Sequence, residues 1–237
     1  MLASVLCKFL VIDMICRRRK IIFIHIPKTG GTSVENLFWP LDKYKRSERN
    51  LWMGFKRPMF NKYQTGGLQH LTASLIKREV GSREFAKCFK FTFVRNPWDK
   101  VISQYLSMGK RKDLRGFVGM ESGFSLKQYL DCISKKSHVQ WEEQYKFIED
   151  VDGKSLVDWV GKFESISDDI DIIRSILDLD KGEKLPHVNK SSSRLHYSHY
   201  YDLESKEVVG EMYAKDISRF GYVYEDVSAD RGNAFSM

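Results

Sequence analysis

The chain has 237 residues, with 39 Lys and Arg against 31 Asp and Glu, for a net charge of +8. With 42% hydrophobic residues, 13% aromatics and 5 prolines, it is neither a disordered nor a collagen-like chain. Its length suits one domain with a real core over residues 1–237, and its basic excess favours an anionic partner without choosing between a small ligand, a polymer and a nucleic acid.

The most apolar stretch, Leu2 to Cys16, is interrupted by Lys8 and Asp13. It is shorter than the roughly 20 apolar residues of a spanning helix. Its basic cluster, Arg17 to Lys20, follows the stretch, whereas a signal peptide places such charges in front. A protein without a transmembrane span is expected. The 4 cysteines, Cys7, Cys16, Cys88 and Cys132, form no C-x-x-C pair and have no histidine at zinc spacing, so reduced thiols and no metal site are expected.

Lys20 to Ile26 reads K-I-I-F-I-H-I, a β-branched run suited to a buried strand. Pro27 to Ser33 follows, and then Val34, Leu37 and Phe38 at helical spacing, which makes a strand–loop–helix unit. Residues 39–67 form a basic excursion broken by Pro40, Pro58, Gly66 and Gly67. Long excursions of this kind are often functional, here as a possible acceptor-binding loop. A short helix is expected around Leu71, Leu75 and Ile76, and a second strand over Phe89 to Val94. Asn96 as N-cap and Pro97 at the first helical position start a helix running to about Met108. Further helices are expected over 126–133 and 141–148, and a third strand over 156–163. Ser165 is expected to cap one more helix, and Asp202 to open a last one. Alternating strands and helices imply an α/β fold with a central parallel sheet flanked by helices.

The segment Pro27-Lys28-Thr29-Gly30-Gly31-Thr32-Ser33 carries the most information. A loop that leaves a strand and opens a helix aims backbone N–H groups, and the positive end of the helix dipole, at one spot. Gly30 and Gly31 permit close approach, Lys28 adds charge, and Thr32 and Ser33 add hydroxyl donors. This is the chemistry of a phosphate site. The nucleotide triphosphatase pattern G-x-x-x-x-G-K-[ST] differs, because here the lysine precedes the glycines and the Mg²⁺-binding hydroxyl has no counterpart. A second anion-binding unit is Arg95, at the end of the second strand, with Ser103 inside the following helix.

The pair H-I-P-K-T-G-G-T-S and F-V-R-N-P-W-D-K-V-I-S-Q-Y resembles the two donor-binding motifs of sulfotransferases that use 3′-phosphoadenosine 5′-phosphosulfate (PAPS). The likeness is to the carbohydrate group, including bacterial members and the heparan 6-O- and 2-O-sulfotransferases, and it runs from about Ile21 to Tyr224. The resemblance implies a P-loop nucleotide-kinase-like three-layer fold. It implies that Lys28, Thr29, Gly30, Gly31, Thr32 and Ser33 hold the 5′-phosphosulfate, while Arg95 and Ser103 hold the 3′-phosphate. Ser191 and Arg194 would reach the adenine or the 3′-phosphate. Lys100 stands where arginine is common.

Sulfuryl transfer needs a base for the acceptor hydroxyl and a cation for the leaving-group oxygen, with no metal demanded. Lys28 is the natural cation. Among the 6 histidines, His70 is preferred as base, because heparan-group members place a catalytic histidine in this intermotif segment. His138 is the second candidate, or an acceptor contact together with Gln144. Glu142 and Glu143 stay open as bases, since some related enzymes use glutamate. The expected acceptor is a hydroxyl-bearing saccharide or glycolipid, with no nucleic acid partner. A cytoplasmic, bacterial-type enzyme is expected rather than a Golgi-lumenal one. The rival readings are a non-catalytic polyanion or nucleic-acid binder, whose affinity would fall steeply with salt, and a P-loop-type phosphotransferase needing Mg²⁺ and ATP.

Overall fold

A computed structural model describes residues 15–16, 20–38, 70–178 and 194–227. Among them, a sheet has the strand order β1 (Ile15–Cys16), β2 (Ile21–Ile24), β3 (Phe89–Val94) and β4 (Trp159–Lys162). β2, β3 and β4 run parallel, in register from Ile21 opposite Phe89 and from Phe91 opposite Trp159. β1 adds an antiparallel edge.

The helices are α1 (Gly31–Phe38), α2 (Ala73–Val80), α3 (Ser82–Lys87), α4 (Pro97–Met108), α5 (Lys112–Val118), α6 (Leu126–Ser134), α7 (Ile166–Ile176), α8 (Leu203–Met212) and α9 (Ala214–Phe220). None of the described helices is long and apolar enough to cross a membrane.

Strand periodicity divides the core between the two sheet faces. Ile22, Ile24 and Val94 pack with Leu71, Ile76 and Phe147 on one side. Ile21, Phe23, Phe91 and Phe93 pack with Val34, Ile170 and Ile173 on the other. Each such side chain contributes about 1.5–3 kcal/mol on burial. A third cluster, built on Trp98, Val101, Tyr129, Trp141 and Tyr213, joins α4 to α6 and α8. Because β2, β3 and β4 are parallel, their C-terminal ends share one edge of the sheet, and the segments at His25, Arg95 and Phe163 leave from that edge.

Asn96 caps α4 as expected, accepting from the Trp98 N–H at 3.1 Å with Pro97 in the first turn. Asp202 caps α8 in a capping box with Ser205. Other elements differ from the sequence reading. Residues 141–148 are not one helix but two 3-10 turns, Val139–Trp141 and Gln144–Phe147, with Glu142 and Glu143 extended between them. The break has partners: the Glu142 carbonyl accepts from Lys100 Nζ at 3.1 Å, and Asp216 accepts from the Gln144 and Tyr145 N–H groups at 2.7 and 2.9 Å. The third strand is shorter than 156–163, since the Leu156 N–H turns away to the Ile148 carbonyl at 2.7 Å. Ser165 makes no cap bond to the α7 backbone; its hydroxyl donates to Asp169 at 3.1 Å. The last helix is interrupted at Tyr213, whose buried hydroxyl donates to the Trp141 carbonyl at 2.7 Å. The 39–67 excursion lies outside the described residues.

Candidate active site

The loop after β2 is built to turn tightly. Lys28 and Gly30 take φ values of 69° and 81°, in the left-handed region. That conformation is free for glycine and costs a lysine roughly 1–2 kcal/mol. Thr29, fully buried, anchors the turn by donating its hydroxyl to the Ile26 carbonyl at 2.9 Å. The Ser33 and Val34 N–H groups both turn to the Gly30 carbonyl, at 2.9 and 3.3 Å, and so begin α1. Gly31 has to be glycine for packing: a Cβ there would lie 2.1 to 2.8 Å from atoms of the His25 ring, which forms the floor of the loop.

Lys28 is half-buried, and its ammonium is held down to about 8, by burial first and then by the charges of Arg95, Arg194 and Arg111. A cluster of cations that raise one another's energy is a field seeking an anion. Arg95 closes the loop from the β3 side. Its guanidinium donates to the Lys28 carbonyl at 2.9 Å and to Asp99 through Nε at 2.7 Å, and it stacks on the Phe163 ring with 4.0 Å to the centroid. Burial brings it down to about 10. Asp99 also pairs with Arg194, so one carboxylate on α4 holds two arginines. Beside them lies a cleft of about 500 Å³, lined by Arg95, Asp99, Lys162, Arg194, Tyr197 and Tyr222 among others. That volume is in the range of small-molecule pockets.

Gln144, fully buried, clasps the backbone that carries Arg95: its Oε1 accepts from the Arg95 N–H and its Nε2 donates to the Arg95 carbonyl, both at 2.8 Å. The structure thus places Gln144 behind Arg95. Ser103 is half-buried on α4, two turns beyond Arg95. Ser191 lies outside the described residues. Glu142 and Glu143 both pair with Lys146, at 2.6 and 2.9 Å.

The two leading histidines differ in which nitrogen is free. His70 Nδ1 lies 2.8 Å from the His25 carbonyl, an acceptor only, so this nitrogen carries the proton and Nε2 keeps its lone pair. His138 is the opposite case. Its Nδ1 accepts from the Gln140 N–H at 3.0 Å, which puts the proton on Nε2, a buried nitrogen with no partner among the described residues. His70 is therefore arranged to take a proton and His138 to donate a hydrogen bond. Burial, then the neighbouring His25, holds His70 well below the ordinary histidine range. Burial, then Arg111, brings His138 down to about 4. Both rings are neutral near pH 7. His138 and Lys100 also act electrostatically on His70, so these groups share one neighbourhood.

Several supporting groups were not singled out in the sequence. Asp99 was legible in principle, because an acid four residues after Arg95 faces it on a helix. Phe163 and Asp216 reach the site only through the tertiary fold, as does Glu164, which accepts from the Asn96 N–H at 2.7 Å. Glu35 pairs with His25 at 2.6 Å, a contact that depends on how α1 folds back on β2. Among the described residues no group of three or more His, Cys, Asp or Glu side chains is arranged to hold a metal ion.

The strand–loop–helix turn and the strand-end arginine form a cationic site at the C-terminal edge of a parallel α/β sheet. The model of the sulfotransferase family matches residues 14–223, and the chain belongs to that family. An uncharacterized protein of Archaeoglobus fulgidus is 29% identical over 100 residues, covering 42% of this chain and 76% of that protein. No solved structure matches with significance.

Proposed function

We propose that this sulfotransferase takes the sulfuryl group from PAPS and passes it to a hydroxyl of a carbohydrate acceptor, on a P-loop-like nucleotide-kinase fold. The observation that supports the reading is the Arg95–Lys28 contact, which brings the two segments read as anion-binding together at the C-terminal edge of the parallel sheet. The donor fits the residues present: a strand-to-helix turn whose Gly30 and Gly31 leave no room for side chains over the His25, Phe163 and Ile166 side chains, and clustered cations whose mutual repulsion an anion would relieve.

PAPS supplies an activated sulfuryl group whose departure leaves charge on a phosphate oxygen. In this reading Lys28, with the loop amides of Gly30 to Thr32, receives that charge, and Arg95, Ser103 and Arg194 bind the second phosphate. His70 Nε2 takes the proton of the acceptor hydroxyl as the hydroxyl oxygen attacks sulfur. Neutral His138 donates from Nε2 to the acceptor. The test is incubation with isotopically labelled PAPS and a panel of glycans, lipids and phenols, read by mass spectrometry, alongside calorimetry with adenosine 3′,5′-bisphosphate. A labelled sulfate ester on a glycan is the expected product. Failure of the bisphosphate to bind overturns the donor assignment.

A further inference from the structure

Glu35 is the lone acidic residue between Lys20 and Phe38, and it stands one turn into α1 behind the anion loop. A carboxylate in that position opposes an anionic ligand, and burying one is costly unless it is paired. Glu35 is 4% exposed, and its Oε1 is 2.6 Å from Nδ1 of His25, itself 5% exposed. This buried pair has no part in the transfer chemistry described above.

His25 touches both halves of the site. Its ring fills the space under Gly31, where a Cβ would come as close as 2.1 Å, so the ring sets the height of the loop. The same ring meets His70 edge-on, with 4.4 Å between centroids, and the His25 carbonyl holds His70 Nδ1 at 2.8 Å. An imidazole free to rotate about its side-chain torsions would fix neither neighbour. The bond to Glu35 removes that freedom.

We propose that Glu35 and His25 form a positioning clasp: Glu35 pins the His25 ring, and the ring couples the seating of the anion loop at Gly31 to the aim of His70. Glu35 is a positioning residue that touches no reacting atom. The inference rests on the reading of residues 28–33 as the donor-phosphate loop and of His70 as the base.

The test uses the full chain, adenosine 3′,5′-bisphosphate as probe, and nitrogen-15 resonances of the histidine rings. In wild type the bisphosphate binds and shifts the His70 ring signals. In Glu35→Leu that shift falls to less than about half, and affinity drops about fivefold or more, the usual range for stranding one buried hydrogen-bond partner. Glu35→Gln still accepts from His25 Nδ1, and it restores both to within about twofold of wild type. Thermal melts establish that each variant is folded, and Glu35→Met replaces Glu35→Leu if the latter is not. An unchanged His70 response in a folded Glu35→Leu or Glu35→Met protein overturns the clasp and leaves the donor reading standing. Failure of Glu35→Gln to restore the response also overturns it. Absence of bisphosphate binding to wild type overturns the donor reading and the clasp together.

Discussion

The guanidinium of Arg95 donates to the backbone carbonyl of Lys28 across 2.9 Å, so the β3 end buttresses the loop leaving β2 directly. The same group is tied to Asp99 through Nε and Nη2, at 2.7 and 2.6 Å. A lysine has no planar fork and cannot keep both contacts. Arg95→Lys is expected to weaken adenosine 3′,5′-bisphosphate binding about 10–100-fold, the span of one or two lost charge-assisted bonds. Calorimetry reads the affinity, and a melt should show a lower Tm because Asp99 is left with Arg194 alone. Retained affinity in Arg95→Lys would mean that the guanidinium does not organise the loop.

Lys28 is expected to make binding of the proposed donor sensitive to alkaline pH. Its ammonium loses the proton near pH 8 in the folded protein, chiefly because it is buried and then because Arg95, Arg194 and Arg111 repel it. Below pH 8 it is a cation and attracts the anionic ligand; above pH 8 the charge is lost. Bisphosphate affinity should therefore hold steady up to about pH 8 and then fall by up to about tenfold per pH unit. Lys28→Arg should straighten the profile, since arginine keeps its charge through this range. Lys100 is also held to about 8, so a bend that survives in Lys28→Arg and vanishes in Lys100→Met would assign it to Lys100 instead.

The histidine tautomers separate a base from a hydrogen-bond donor. His70→Ala should leave bisphosphate affinity within about twofold while lowering turnover about 10²–10⁴-fold, the usual contribution of a general base. His138→Gln keeps an N–H donor and should retain turnover, with its effect confined to the acceptor KM. The opposite pattern, with His138→Gln inactive and His70→Ala active, would exchange the two assignments.

The two parallel strands β2 and β3, and the loops that leave them, were legible because their signals are local, whereas the antiparallel edge β1 was not read. A β-branched run, a glycine pair and an Asn-Pro helix start are each decided by neighbours in sequence, and the strand–loop–helix unit and the α4 cap formed where those signals stand. The 139–148 region was not legible. Its apolar spacing suits a helix, but Lys100 and Asp216 claim the Glu142 carbonyl and the Gln144 and Tyr145 amides from elements far away in sequence. The same limit applies to the site. The residue types proposed to meet a ligand were read from motif chemistry, whereas the parts that hold them in place could not be: Gln144 behind Arg95, Glu35 behind His25, and the stacking of Phe163 all require the tertiary contacts.

Lys100 offers a stability test with a defined sign. It is 1% exposed on α4, with its ammonium donating to the Glu142 carbonyl at 3.1 Å and lying 5.4 Å from the centre of the Tyr213 ring. Burial lowers it from 10.5 to about 8, against the opposing pull of Asp216 and Glu142. In the unfolded chain the lysine holds its proton up to about pH 10.4. Between these values the unfolded state binds more protons, so stability rises with pH from about 8 to 10.5. Below pH 8 the full cost of the buried charge applies, up to about 3 kcal/mol. Lys100→Met forfeits the bond to Glu142, worth about 1 kcal/mol, and removes that cost. It should therefore raise stability by about 2 kcal/mol at pH 7, or roughly 5 °C in Tm for a chain of this size. The gain should shrink as the pH approaches 10.5, where wild-type Lys100 is neutral when folded. Paired melts of wild type and Lys100→Met at pH 7 and pH 10 read the difference, in which other titrating groups cancel. A loss of stability at pH 7 would show that the bond to Glu142 and the Tyr213 contact outweigh the burial of the charge.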